Sequence, residues 1–283
     1  MNMEGKIAHA AEAINDAGAL LITAGAGMGV DSGLPDFRGT EGFWRAYPVI
    51  AKLGLRFEEI ANPAWFETSP ELAWAFYGHR LNLYRKALPH SGFQQLFELA
   101  TQKRMDYFVV TSNVDGLFQK AGFDQARIVE CHGSIHHFQC TAPCRDEIWD
   151  ADNEQILVDE ATFRAGVPLP KCLSCGALAR PNVLMFGDGS WIAYRTKRQE
   201  ELFNRWFSNV CKSRAKLVVV ELGAGTSIPT VRHTSECVVR ETDATLIRIN
   251  VREAQVPKGH IGLNLGAAEG VARICEQLRL FSR

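Results

Sequence analysis

The chain has 283 residues, 46% of them apolar, with 31 basic and 32 acidic side chains and a formal net charge of −1. That length can bury one large core or a core with an insertion, and the charge balance excludes nucleic acid or an anionic membrane as an electrostatically driven partner. No apolar run reaches the roughly 20 residues of a membrane helix, the first residues lack the pattern of a signal peptide, and eight cysteines in this length do not make a disulfide scaffold. A cytoplasmic, reducing setting fits all three.

Ile7, Ala10, Ala11, Ile14 and Ala17 recur at helical spacing and predict an opening amphipathic helix up to Gly18. The apolar run 19–23 then ends in Ala24-Gly25-Ala26-Gly27. A short β-run feeding glycines is how a parallel-sheet nucleotide site begins. Residues 40–69 are aromatic and irregular and lead into a helix over 70–88. Helices over 92–103, 115–121 and 195–212 separate further buried-strand candidates at 107–111, 127–130, 217–222 and 245–249. Strands alternating with helices predict an α/β chain with a Rossmann-like doubly wound parallel sheet. Residues 139–179 carry four cysteines and little core-forming pattern. The large unit is therefore expected to use 1–39, 89–138 and 180–283, and a smaller inserted zinc-binding and helical domain to use 40–88 and 139–179.

The cysteines fall in two close pairs, Cys140/Cys144 and Cys172/Cys175. Two pairs of thiolates across a connecting segment suit a tetrahedral structural zinc with no position open for chemistry. The reactive group is then sought beside the metal, and His132 in Glu130-Cys131-His132-Gly133-Ser134 is the candidate. Glycines over 25–33 let backbone amides approach phosphate oxygens, although Val30 stands where the third glycine of the common dinucleotide fingerprint would fall. By itself the loop is equally compatible with a tight structural turn. Asn113 and Asp115 follow a predicted strand, at the sheet edge where ligands bind. They could hold a ribose or a carboxamide, or cap the next helix.

In order along the chain, 25–39, 111–122 (TSNVDGLFQKAG), 130–134 (ECHGS), the four cysteines, 180–188 (RPNVLMFGD), Gly225-Thr226-Ser227 and Ile249-Asn250 are similar to the motifs of the sirtuin (Sir2) family, NAD-dependent protein-lysine deacylases. The resemblance implies that NAD is a co-substrate, one Zn²⁺ is structural, and acyl-lysine proteins or peptides are the substrates. His132 would be the general base, relaying a proton from a ribose hydroxyl once the acyl oxygen has displaced nicotinamide. Asn113, Asp115 and Ser112 would line the nicotinamide end of the pocket. Ala24, Gly25, Gly27, Asp36, Phe37 and Arg38 would form the phosphate and nicotinamide-ribose wall, and Gly223, Thr226, Ser227, Asn250 and Ala268 would hold the adenosine half. Val183, Phe186, Gly187 and Asp188 would pair with an extended substrate peptide by strand addition.

Tyr77 and Arg80 stand at i, i+3 of the 70–88 helix. They resemble the Tyr-x-x-Arg of sirtuins that prefer succinyl- or malonyl-lysine, in which a guanidinium offers a carboxylate a bidentate partner. Sirtuins usually carry Gln at Ser112, Ser at Gly29 and Glu at Asp188, and two residues rather than three inside the first cysteine pair. Two rival readings share the scaffold. One is an ADP-ribosyltransferase or NAD hydrolase; the other is a catalytically silent NAD- or ADP-ribose-binding module, which predicts loss of His132 or Asn113. The chain is expected to act as a monomer, without direct nucleic-acid binding.

Overall fold

The computed structural model describes residues 1–35 and 39–281; Asp36, Phe37 and Arg38 lie outside the described residues. In chain order, α1 (Met3–Asn15) leads into β1 (Ala19–Ala24). Then come α2 (Gly39–Ala46), α3 (Pro48–Lys52), α4 (Phe57–Ile60), α5 (Trp65–Thr68), α6 (Pro70–Lys86) and α7 (Ser91–Gln102). β2 (Asp106–Thr111), α8 (Leu117–Lys120) and β3 (Ile128–Glu130) precede β4 (Gly133–Cys140), β5 (Ile148–Asp150), β6 (Val158–Asp159), β7 (Arg164–Ala165) and β8 (Ala179–Val183). The remaining elements are α9 (Tyr194–Ser213), β9 (Leu217–Leu222), α10 (Thr230–Glu241), β10 (Thr245–Ile249), β11 (Ile261–Leu263) and α11 (Ala267–Phe281).

All six residues of β1 and all six of β9 are buried, as expected of strands covered on both faces. They are central in a six-stranded sheet of order β11-β10-β9-β1-β2-β3, parallel throughout. Alternation along each strand feeds two cores. Leu20, Ile22, Val109, Val218 and Ile247 pack with Ile7, Leu96 and Ile274, which come from α1, α7 and α11. Leu21, Phe108, Val219 and Leu246 pack with Trp206, Val210 and Val238, from α9 and α10. The strand order reverses between β1 and β9, so the loops after these two strands open a crevice at the carboxyl edge.

The aromatic stretch 40–69 is not irregular, as the sequence suggests, but holds four short helices, α2 to α5. Elements of four to eight residues are too short to display an amphipathic period. The helix expected over 115–121 shrinks to α8 because Asp115 Oδ1 accepts the Leu117 N–H at 2.9 Å and Gly116 is left-handed at φ 73°. A separate antiparallel sheet of order β5-β4-β8 starts at Gly133, directly after His132. Helix α6 carries this insertion. Asn82 Nδ2 donates to the Ile156 carbonyl at 2.8 Å, and Arg85 donates to those of Glu154 and Ala151 at 2.6 and 2.5 Å.

No described helix is long and apolar enough to cross a membrane.

Candidate active site

Ala24, Gly25, Gly27, Ser112, Asn113, Gly223 and Asn250 lie at or just after the carboxyl ends of β1, β2, β9 and β10, while Tyr77 and Arg80 are on α6 and the four cysteines are in the inserted segment. Ala24 ends β1, and Gly25 and Gly27 donate their N–H groups to the carbonyls of Leu222 and Gly223, both at 3.0 Å. The first glycine loop is thereby laid against the loop after β9. Gly223 sits at φ 60°, and a Cβ there would lie 2.3 Å from Gly27 C and from Met28 N. Such backbone-to-backbone contact admits glycine alone. Left-handed strain and forced overlap together predict that Gly223→Ala lowers the unfolding free energy by at least ~2 kcal/mol. A denaturant midpoint equal to wild type would show that the two loops do not press together.

Asn250 organises the next loop. Its Nδ2 donates to the Ala224 carbonyl at 2.7 Å, and its Oδ1 accepts the N–H groups of Arg252 and Glu253 at 3.0 Å each. Thr226 and Ser227 are exposed beside it, with Thr226 Oγ1 donating to Glu253 Oε1 at 2.5 Å. Ala268 is fixed from the other side, its N–H donating to Asp31 Oδ2 at 2.8 Å. Two histidines passed over in the sequence support the edge. His90 bonds the Met28 carbonyl through Nε2 at 2.9 Å and accepts the Gly92 N–H at Nδ1 at 3.0 Å, holding the glycine loop. His136 bonds the loop after β2. Single polar residues without a motif gave the sequence reading no signal for either.

In the loop after β2, the Ser112 N–H donates to the Ala24 carbonyl at 3.1 Å. Asn113 Nδ2 donates to the Gly25 carbonyl at 3.0 Å, and its own N–H donates to Thr111 Oγ1 at 3.0 Å. Asp115 is buried, and burial pushes its carboxyl up to about 6 against the bond from Leu117. His132 occupies the turn between β3 and β4. Burial lowers its pKa, while a hydrogen bond with the Ser112 backbone works the other way. Its carbonyl accepts the Leu184 N–H at 2.9 Å. The neighbouring Cys131 thiol is pushed up to about 12, chiefly by burial, which disfavours the thiolate.

Arg80 is buried among aromatic rings, with the centroids of Phe57, Phe76, Tyr77 and Tyr84 at 5.9, 5.3, 5.6 and 5.5 Å, and it donates to Tyr84 Oη at 3.1–3.2 Å. The Tyr77 hydroxyl is buried and has no hydrogen-bond partner among the described residues. Burial raises its pKa to about 12, and it feels Arg80 as well as the Arg180–Asp188 pair. The Asp115 carboxylate also feels Arg80.

At the end of β8, Val183 is buried and paired with Gly133, and beyond it the Phe186 N–H donates to the Ala61 carbonyl at 2.9 Å. Gly187 is left-handed at φ 67°. Asp188 forms a buried two-point ion pair with Arg180 and accepts the N–H groups of Met185 and Ser190, both at 3.2 Å. Its carboxylate thus shapes the turn.

The four cysteine sulfurs lie within 4.8 Å of one another, with Cys140–Cys175 and Cys144–Cys172 both at 3.7 Å. A tetrahedron with Zn–S bonds of about 2.3 Å sets its sulfurs about 3.8 Å apart, so the cluster fits a structural zinc. Around Cys172 the backbone turns tightly, with the Gly176 N–H donating to the Cys172 carbonyl at 3.0 Å and Gly176 left-handed at φ 74°.

The Sir2 family model matches residues 25–206. The NAD-dependent protein deacylase of Pyrococcus abyssi is 32% identical over 259 residues, 90% of this chain and 91% of that protein. The protein of the same name from Pyrococcus furiosus is 30% identical, covering 92% of each. Among solved structures, a Sir2 homolog–NAD complex aligns with a TM-score of 0.71 and 26% identity over 97% of this chain and 94% of that one. Sequence matches along both lengths and a shared architecture lead to one assignment: this chain is a member of the Sir2 family.

Proposed function

We propose that the protein is an NAD-dependent protein-lysine deacylase that transfers the acyl group of acyl-lysine to ADP-ribose and releases nicotinamide. The observation that carries this reading is the placement of His132. It is tied to Ser112 of the nucleotide edge on one side and to Leu184 at the end of β8 on the other, so a base stands where cofactor and peptide would meet. Glycine-lined loops at the strand-order reversal fit a dinucleotide, and related proteins carry the deacylase name over nine-tenths of their length.

NAD supplies an electrophilic ribose carbon and a leaving group. The residues of the chain orient, exclude water and move a proton. Asn113 and Asp115 hold the nicotinamide end, with Ser112 beside them. Ala24, Gly25 and Gly27 receive the phosphates, and Thr226, Ser227, Asn250 and Ala268 the adenosine half. His132, kept neutral by burial, accepts the ribose hydroxyl proton. β8 is an edge strand of its sheet, and the backbone around Val183, Phe186, Gly187 and Asp188 takes the peptide by strand addition. Tyr77 and Arg80 receive the distal end of the acyl group. Eight thiols without a disulfide among the described residues support a reducing, cytoplasmic setting.

The test is mass spectrometry of one peptide carrying acetyl-, succinyl- or long-chain-acyl-lysine, with and without NAD. NAD-dependent loss of the acyl group, with nicotinamide and O-acyl-ADP-ribose formed, is expected. Release of nicotinamide from NAD with every acyl-peptide left intact would favour ADP-ribosyl transfer or NAD hydrolysis, and no turnover would favour the binding module. Arg80→Met should slow succinyl-lysine turnover at least ~10-fold while changing acetyl-lysine turnover little. Equal slowing of both would remove the specificity argument.

A further inference from the structure

Strand β4 does not pair evenly with β8. Ser134 faces Asn182 and Phe138 faces Pro181, so the register slips between them. Adjacent partners on β8 thus answer residues four apart on β4, and Ile135, His136 and His137 bulge out of the ladder. Bulges re-aim side chains and are frequent beside active sites. Here the bulge is stitched to the loop after β2: the Ile135 N–H donates to the Val114 carbonyl at 3.1 Å, and His136 Nε2 lies 2.8 Å from the Asp115 carbonyl oxygen. That oxygen can only accept, so Nε2 carries the hydrogen in either protonation state. Burial lowers the pKa of this imidazole. The ring also lies against left-handed Gly116, where a Cβ would come within 2.9 Å of His136 Cδ2.

We propose that His136 is a positioning residue that fixes the Asn113–Asp115 loop relative to His132. It rests on the reading of that loop as the nicotinamide end of the pocket. Asn113 is already tied to Gly25 and to Thr111, and Asp115 Oδ1 is tied to Leu117. Beside the Ile135–Val114 bond, His136 adds a side-chain link at Asp115 to the strand that His132 precedes by one residue. Without it the Asp115 carbonyl loses its donor, and the loop can shift against the base without any change in the glycine loop.

The test compares wild type with His136→Leu, His136→Asn and His136→Gln by steady-state kinetics, melting and amide hydrogen exchange. A glutamine amide places a donor near the imidazole Nε2 position, whereas the shorter asparagine does not reach it. Loss of one buried bond predicts about a tenfold rise in KM for NAD for the leucine and asparagine variants, with faster exchange over 113–120. Glutamine should restore both to within about threefold of wild type. Equal KM in all four proteins, or a glutamine variant no better than leucine at equal melting temperature, would overturn the positioning role. Absence of NAD turnover in the wild type would instead defeat the deacylase reading. Exchange over 113–120 would still decide the anchor, with unchanged protection in His136→Leu counting against it.

Discussion

His132→Ala is expected to cut NAD-dependent deacylation by ~10²-fold or more, the usual contribution of a positioned general base, while zinc content stays at the wild-type value and the protein still folds. The expectation follows from its place in the turn between β3 and β4: alanine keeps the backbone bond in which the Leu184 N–H meets the His132 carbonyl and gives up only the side-chain bond with the Ser112 backbone. The same residue sets the acid limb of the pH profile. A base works deprotonated, and burial holds this imidazole below its ordinary value of 6.5. At neutral pH it is already competent. Activity should fall only as pH drops through that depressed pKa, placing the acid limb of kcat/KM below 6.5. Turnover persisting in the alanine variant would overturn the mechanism, and a limb centred above 6.5 would mean that another group is titrating.

Cys172→Ser should remove the zinc and, with it, the order of the small sheet. Cys140 ends β4, and Cys172 and Cys175 lie just before β8, so the metal would close a long loop between two paired strands. Metal binding of this kind is folding free energy. Its loss should cost several kcal/mol and lower the melting temperature by ~10 °C. Activity should fall too, because β4 starts one residue after His132 and the segment leaving β8 holds the His132 carbonyl. Metal analysis, a melting curve and the acyl assay on one preparation decide the matter. A zinc-free protein that melts and turns over like wild type would refute a structural metal.

The large sheet was legible because its strands are short apolar runs. Residues 217–222 read as a strand and form one to the residue. The small sheet was not legible, since apolar Ile135, Phe138 and Val183 are interspersed with buried polar residues. Gln139, Arg180 and Asn182 look like loop residues until their partners are known. Arg180 is neutralised by Asp188, while Asn182 Nδ2 donates to Gln139 Oε1 at 2.9 Å and to the Ile192 carbonyl at 2.9 Å. Buried polar groups of this kind depend on their hydrogen-bond partners, and no local pattern announces partners ten or forty positions away. The candidate site was legible where side chains recur in motifs, as at Asn113, Asp115 and His132. The role proposed for His136 depends on a register slip, and a slip has no signature in composition or spacing.

The position of β1 bears on how the chain reaches its native state. Ala19 pairs with Asp106 on one side and with Leu217 on the other, so β1 leaves the ribosome well before β9, and its central place closes only when β9 arrives. Synthesis at about 5–20 residues per second leaves one apolar edge of β1 unsatisfied for many seconds. Folding that depends on contacts so distant in sequence is slow and exposes strand edges to other chains. Recombinant yield should therefore be governed by chaperone supply and growth temperature more than by the stability of the finished molecule.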